Sequence, residues 1–98
     1  MKKIRNIHPG EILREEFMLP LNLTAYKLAK DTHIQPTRIN QIIHEKRSIS
    51  SDTALRLSKF FGNSPDFWMG LQVEYELRNK KAEIQKDLET IHQYSKAI

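Results

Sequence analysis

TAYKLAKDTHIQPTRINQIIH, residues 24–44, is the stretch on which the reading of this chain turns. It divides into two short helices joined by a tight turn. Thr24 is a good N-cap for the first, because its hydroxyl can accept from a backbone N–H of the opening turn. Leu23 and Leu28 stand at the spacing of a hydrophobic staple, which fixes the angle at which the chain enters the helix. This helix is expected to end near Lys30, with Asp31, Thr32 and His33 turning the chain and Ile34 returning to the core. The second helix opens with Pro36 at its first position, where the missing N–H costs nothing. Gln35 is its cap, and Ile34 and Ile39 repeat the staple.

On a wheel of about 100° per residue, Ile39, Ile42 and Ile43 share one face of the second helix. Thr37, Gln41 and His44 lie opposite, and Arg38 and Asn40 flank them. Every outward side chain there can donate or accept hydrogen bonds, and none between Gln35 and His44 is acidic. Reading the edge of a DNA base requires such a face, free of carboxylates aimed at phosphate. The plainer alternative is an amphipathic helix with a solvated face, but such faces usually mix Glu with Lys. Two stapled helices with about four residues between them fit a helix-turn-helix better than a loose helical hairpin.

Charge follows the same division. The 98 residues carry a net charge of +4, with 39% apolar content, which suits one small domain with one modest core. Residues 1–47 hold nine Lys/Arg against five acids, and residues 48–98 hold seven of each. The whole excess therefore lies in the half containing the stapled pair. A basic balance of this kind permits nucleic-acid binding without requiring it. Lys46 and Arg47, in the loop after the second helix, are well sited to hold phosphates. The candidate DNA-contacting residues are thus Gln35, Thr37, Arg38, Asn40, Gln41, His44, Lys46 and Arg47.

The rest of the chain reads as helical. Met1 to Ile7 form a basic leader expected to be mobile. His8-Pro9-Gly10-Glu11 opens a helix whose Leu13 and Phe17 face inward with Ile12 beside them, and Pro20 ends it. Asn22 helps turn the chain. Ser50 or Ser51 caps a further helix with Ala54, Leu57, Ser58 and Phe61 on its inner stripe and Gly62 as its stop. Ser64-Pro65-Asp66 opens the next, with Phe67, Trp68, Leu71 and Tyr75 as core contacts. Beyond Tyr75, Leu77, Ile84 and Ile91 recur at seven, with Leu88 between the last two. That seam fits one long helix or two, offered to a partner in a dimer, or else a weakly ordered tail.

Other classes of chemistry find no support. The absence of cysteine excludes disulfides and thiolate metal sites. The four histidines are scattered, and His44-Glu45 begins a zinc-protease motif that Ser48 breaks. Glu15 and Glu16 are adjacent, so on a helix they diverge rather than converge on a substrate. No phosphate-binding glycine loop occurs. An enzyme, a cofactor and a small-molecule substrate are therefore not expected. No secretory signal or membrane-spanning run is read, leaving a cytoplasmic protein as the default and the sequon at Asn22-Leu23-Thr24 a coincidence.

Several segments together resemble the HigA (VapI-type) antitoxins of type II toxin–antitoxin systems, within the Xre/Cro-repressor class of helix-turn-helix proteins. They are His8-Pro9-Gly10-Glu11 through Phe17, Leu28-Ala29, Thr37-Arg38-Ile39-Asn40, Lys46-Arg47, Asp52 through Leu57, and Phe60-Phe61-Gly62-Asn63-Ser64-Pro65-Asp66-Phe67-Trp68. The resemblance spans roughly residues 7–77. It implies an all-α, five-helix, lambda-repressor-like domain, expected here over residues 1–79, and the thinning apolar pattern leaves a C-terminal helical or flexible extension over residues 80–98. It also implies a homodimer that binds an operator palindrome in its own promoter and neutralises a small, mRNA-cleaving HigB-type toxin. Ala29 falls where the first helix must let the second come close. Where the family usually carries glycine, this chain has His33 in the turn, which calls for a positive φ there, and Glu45 in the loop. The rivals are a stand-alone regulator with no toxin and an interaction module whose helix-turn-helix no longer binds DNA.

Overall fold

The computed structural model describes residues 5–95, and every regular element among them is helical. Chain entry is set by His8, whose Nδ1 accepts from the Gly10 N–H at 2.8 Å and caps α1, Pro9–Ile12. The same body continues as a π-helix, Leu13–Met18. Its wider register shows in the bond from Leu19 N to Arg14 O, which spans five residues. An ordinary α-helix ended by Pro20 was the expectation. Pro20 has no N–H to offer Glu16, and the wider turn brings Leu13 and Met18 to the buried side together. Asn22 then takes φ 53° and turns the chain, a left-handed conformation that Asn tolerates better than most residues.

The stapled pair forms as expected. α2 spans Ala25–Thr32, capped by the Thr24 hydroxyl on Lys27 N, and α3 spans Pro36–Ile43. α2 runs two residues past Lys30. Thr32 returns its hydroxyl to the Leu28 carbonyl at 2.6 Å and is buried, so it belongs to the helix and not the turn. His33 alone reverses the chain, at φ 59°. Leu28, Ala29, Ile34, Ile39, Ile42 and Ile43 are all buried.

α4, Ser51–Phe61, is capped by Ser50 and stopped by Gly62 at φ 78°. Its Ala54, Leu57 and Ser58 are buried, and Phe61 is half-buried. α5, Pro65–Glu83, starts from the Ser64 cap and packs along α4 and α1. Fully buried Trp68 sits beside Phe17 at 4.9 Å, Phe61 at 6.0 Å and Phe67 at 5.0 Å between ring centroids, and gives its indole N–H to Asn63. Phe67 itself is 39% exposed, so it covers the core's edge. Gln72, also buried, accepts from Ile49 N at 2.8 Å and so fastens the loop before α4 to α5.

Five helical bodies, counting α1 and the π-helix as one, thus make the domain expected from the sequence. The described part of the leader, Arg5 to Ile7, makes contacts with the domain. Arg5 forms a two-pronged ion pair with Glu11, and Asn6 bonds the Tyr75 carbonyl and Asn79. Residues 1–4 and 96–98 lie outside the described residues. The second half of α5 runs clear of the core, giving extents of 57 × 32 × 21 Å. Beyond Tyr75 the chain forms two helices and then, from Ile91 to Ser95, no regular structure. α5 ends at Glu83 with Ile84 as its cap, and a single turn, α6 (Gln85–Leu88), follows. Leu77 is 61% exposed and Ile91 65%, and the helix break at Ile84 divides the seven-residue pattern.

Capping at His8 has a pH consequence. Burial pushes the imidazole below its ordinary 6.5, against the opposing influence of Glu45. The residue also rests edge-on to Tyr75, with ring centroids 4.8 Å apart. A protonated Nδ1 could no longer accept from Gly10. The folded protein therefore binds the His8 proton less readily than the unfolded chain. The corresponding stability is complete above pH 6.5 and is lost as pH falls below that value toward the folded pKa. Urea midpoints measured from pH 7.5 downward should begin to drop below pH 6.5, and His8→Asn should flatten the part of that decline lying above the carboxylate range. An equal slope in the variant would remove His8 as its source.

Candidate nucleic-acid interface

The outward face of α3 is held in place from behind and from its C-terminal end. Behind it, Ile39 and Ile42 are fully buried and Ile43 nearly so. Gly10 lies against the carbonyl of Ile42 so closely that a Cβ would meet that oxygen at 1.8 Å. At the C-terminal end, the Arg14 guanidinium donates to the Ile43 carbonyl, one of the four acceptors a helix leaves unmet. Arg56 does the equivalent for α2, donating to the carbonyls of Thr32 (3.3 Å) and His33 (3.4 Å). Each helix of the stapled pair thus has its C-terminus closed by an arginine from elsewhere in the chain. A cation there also opposes the negative end of the helix dipole.

Gln35, Thr37, Asn40, Gln41 and His44 are exposed, and Lys46 and Arg47 are exposed just beyond them. Gln35 caps α3 through its position only, and its side chain makes no capping bond. Asn40 gives its amide to the Pro36 carbonyl at 3.0 Å, and a ring nitrogen of His44 lies 2.7 Å from the Asn40 carbonyl. Arg47 donates to the Gln41 side chain at 2.7 Å, which joins the loop to the helix face. The loop turns through Glu45 at φ 62°, a left-handed position where glycine would be easiest. The Glu45 carboxylate lies 4.0 Å from Arg14.

Arg38 stands apart from this group. It is half-buried on the flank, where its Nη1 meets the Asp52 carboxylate at 2.9 Å and the Thr53 hydroxyl at 3.5 Å. Asp52 also accepts from Arg56 Nε, and these two hydrogen bonds hold its carboxyl below the ordinary carboxylate range. The face of α3 is free of acids, but its edge is not. Gly10, Arg14, Asp52 and Arg56 take part in this arrangement although no local sequence pattern marks them for it. Among the described residues, no group of three or more His, Asp and Glu could hold a metal ion, and no helix is long and apolar enough to cross a membrane.

The family described as helix-turn-helix matches residues 13–68. Virulence-associated protein I of Dichelobacter nodosus is 51% identical over 72 residues, covering 74% of this chain and 67% of that protein. A solved Pseudomonas aeruginosa antitoxin HigA with higBA promoter shares 39% identity at a TM-score of 0.84, over 96% of this chain and all of that one. The chain belongs to the helix-turn-helix family, in its HigA antitoxin branch. An addiction module antidote protein of the HigA family from Coxiella burnetii superposes similarly, with 42% identity and a TM-score of 0.87 over 93% of this chain and all of that one. The chain spans about two thirds of the length of the curated helix-turn-helix relatives it matches.

Proposed function

We propose that the protein is a cytoplasmic, sequence-specific DNA-binding antitoxin that represses its own operon as a homodimer and neutralises a small, mRNA-cleaving toxin of the HigB type. The observation that carries the DNA part is the α3 face. Gln35, Thr37, Asn40, Gln41 and His44 stand exposed and free of acids, on a helix held in register by three buried isoleucines and the Gly10 contact. Such a face fits the major groove, and Lys46 and Arg47 beyond it would grip phosphates. Two copies would place their α3 helices about 34 Å apart, one turn of the duplex. Support for the operator comes also from the P. aeruginosa HigA of similar fold with its higBA promoter. Support for the toxin comes from membership of the HigA branch alone.

The test is a gel shift with the DNA immediately upstream of the protein's own operon. Binding should fall steeply between about 50 and 200 mM salt, because each phosphate contact releases counterions. Arg38→Ala should weaken operator binding by about 1–3 kcal/mol if the guanidinium reads a base. An unchanged affinity would take Arg38 out of the interface. Failure to bind the upstream duplex at low salt would overturn the repressor reading. The toxin arm is separate. The product of a small basic reading frame directly preceding the gene should co-purify with the protein, and finding no such frame would favour a stand-alone regulator.

A further inference from the structure

We propose that Asp52 is a positioning residue for DNA recognition, holding Arg38 in a fixed pose and checking its attraction to phosphate. The proposal rests on the operator-reading role argued above. Arg38 is the one cation on α3, and the helix's own face has no acid to restrain it. A free guanidinium on a flexible stem would engage any phosphate of any sequence, since backbone contacts carry no sequence information. Here the first turn of α4 supplies the restraint.

The geometry is selective. Asp52 and Thr53 engage Nη1 of Arg38. Nη2 and Nε make no hydrogen bond to the protein among the described residues, so donors of the fork remain for a DNA acceptor. Arg56 Nε lies on both oxygens of the same carboxylate, at 3.2 and 3.1 Å, and orients it toward Arg38. Arg56 is in turn committed to the carbonyls that close α2. Asp52 therefore connects the turn between α2 and α3 to the edge of the reading helix. A base edge that accepts from the remaining fork donors gains from a side chain already ordered. A lone phosphate must compete with the carboxylate for the same charge.

The experiment uses the full-length protein, its own upstream duplex and a scrambled duplex of equal length, titrated across a range of salt. Asp52→Asn should free Arg38 for phosphate, while Arg56 stays on the carbonyls of Thr32 and His33. Binding to the scrambled duplex should then become about fivefold tighter near 0.15 M salt, with log K against log salt steeper by about 0.9. Operator affinity should move less than this, so that discrimination falls. The same substitution in an Arg38→Gln background should have no effect on either quantity. A gain that persists without Arg38 would show bulk charge at work and overturn the proposal, as would an unchanged scrambled-duplex slope. A wild-type protein without preference for its own operator would overturn the repressor reading. The slope comparison on the scrambled duplex would still decide the role of Asp52.

Discussion

Gly10→Ala should destabilise the domain by about 3 kcal/mol or more, a large share of the 5–15 kcal/mol typical of such domains. The added Cβ would lie 1.8 Å from the Ile42 carbonyl oxygen and 2.8 Å from its carbon. Both atoms belong to the backbone of a helix whose side chains at Ile39, Ile42 and Ile43 are packed into the core. Neither can rotate aside, so α1 and α3 must separate. That separation also strains the His8 cap, whose Nδ1 lies 3.1 Å from the same Cβ position. Gly70→Ala is the control. It makes the same chemical change in the interior of α5, where the new methyl meets nothing within 4 Å. That variant should gain about 0.5–1 kcal/mol, because alanine favours the helix. Opposite signs in paired urea melts would identify the α1–α3 contact as the cause. Because the displaced element carries Gln41 and His44, the folded fraction of Gly10→Ala should also bind the operator more weakly. A Gly10→Ala melt matching that of Gly70→Ala would show that the two helices can part without cost.

The contrast between what could and could not be read in advance is physical. Thr24, Pro36, Ser64 and Gly62 act within one turn of their own positions, so their residue types alone announce helix ends. The isoleucines of α3 obey a period set by the helix itself. His33 and Glu45 stood where glycine was expected, and both adopt the positive φ that glycine would supply. What escaped depends on partners far along the chain. Arg14 reaches Ile43 across 29 residues and Arg56 reaches Thr32 across 24. No local period encodes a guanidinium finding the end of another helix. The same holds for Arg38, whose outward placement on a wheel gave no hint of Asp52 beside it. The π register of Leu13–Met18 was hidden for a different reason: Phe17 and Leu13 satisfy an α spacing too, and only Met18 distinguishes the wider turn.

Trp68→Ala should cost about 3–5 kcal/mol, enough to leave much of a marginal domain unfolded at 37 °C. The indole is fully buried and touches three rings, from the π-helix, α4 and α5. Its removal would leave a hole that rigid helices close only in part. It would also leave the Asn63 side chain without its indole partner. Trp68→Phe, which keeps most of the volume but loses that N–H, should cost less than half as much. The functional consequence separates scaffold from reader. Trp68 lies on α5, which packs on α4 and α1, whereas the reading face belongs to α3. In the cold, where the alanine variant remains folded, its operator affinity should match the parent's. Loss at 37 °C should then track the unfolded fraction measured by circular dichroism. Weak binding by a fully folded Trp68→Ala protein would mean that the aromatic cluster sets the angle of α3, and that the buttress extends further from the DNA than Gly10, Arg14 and the three isoleucines.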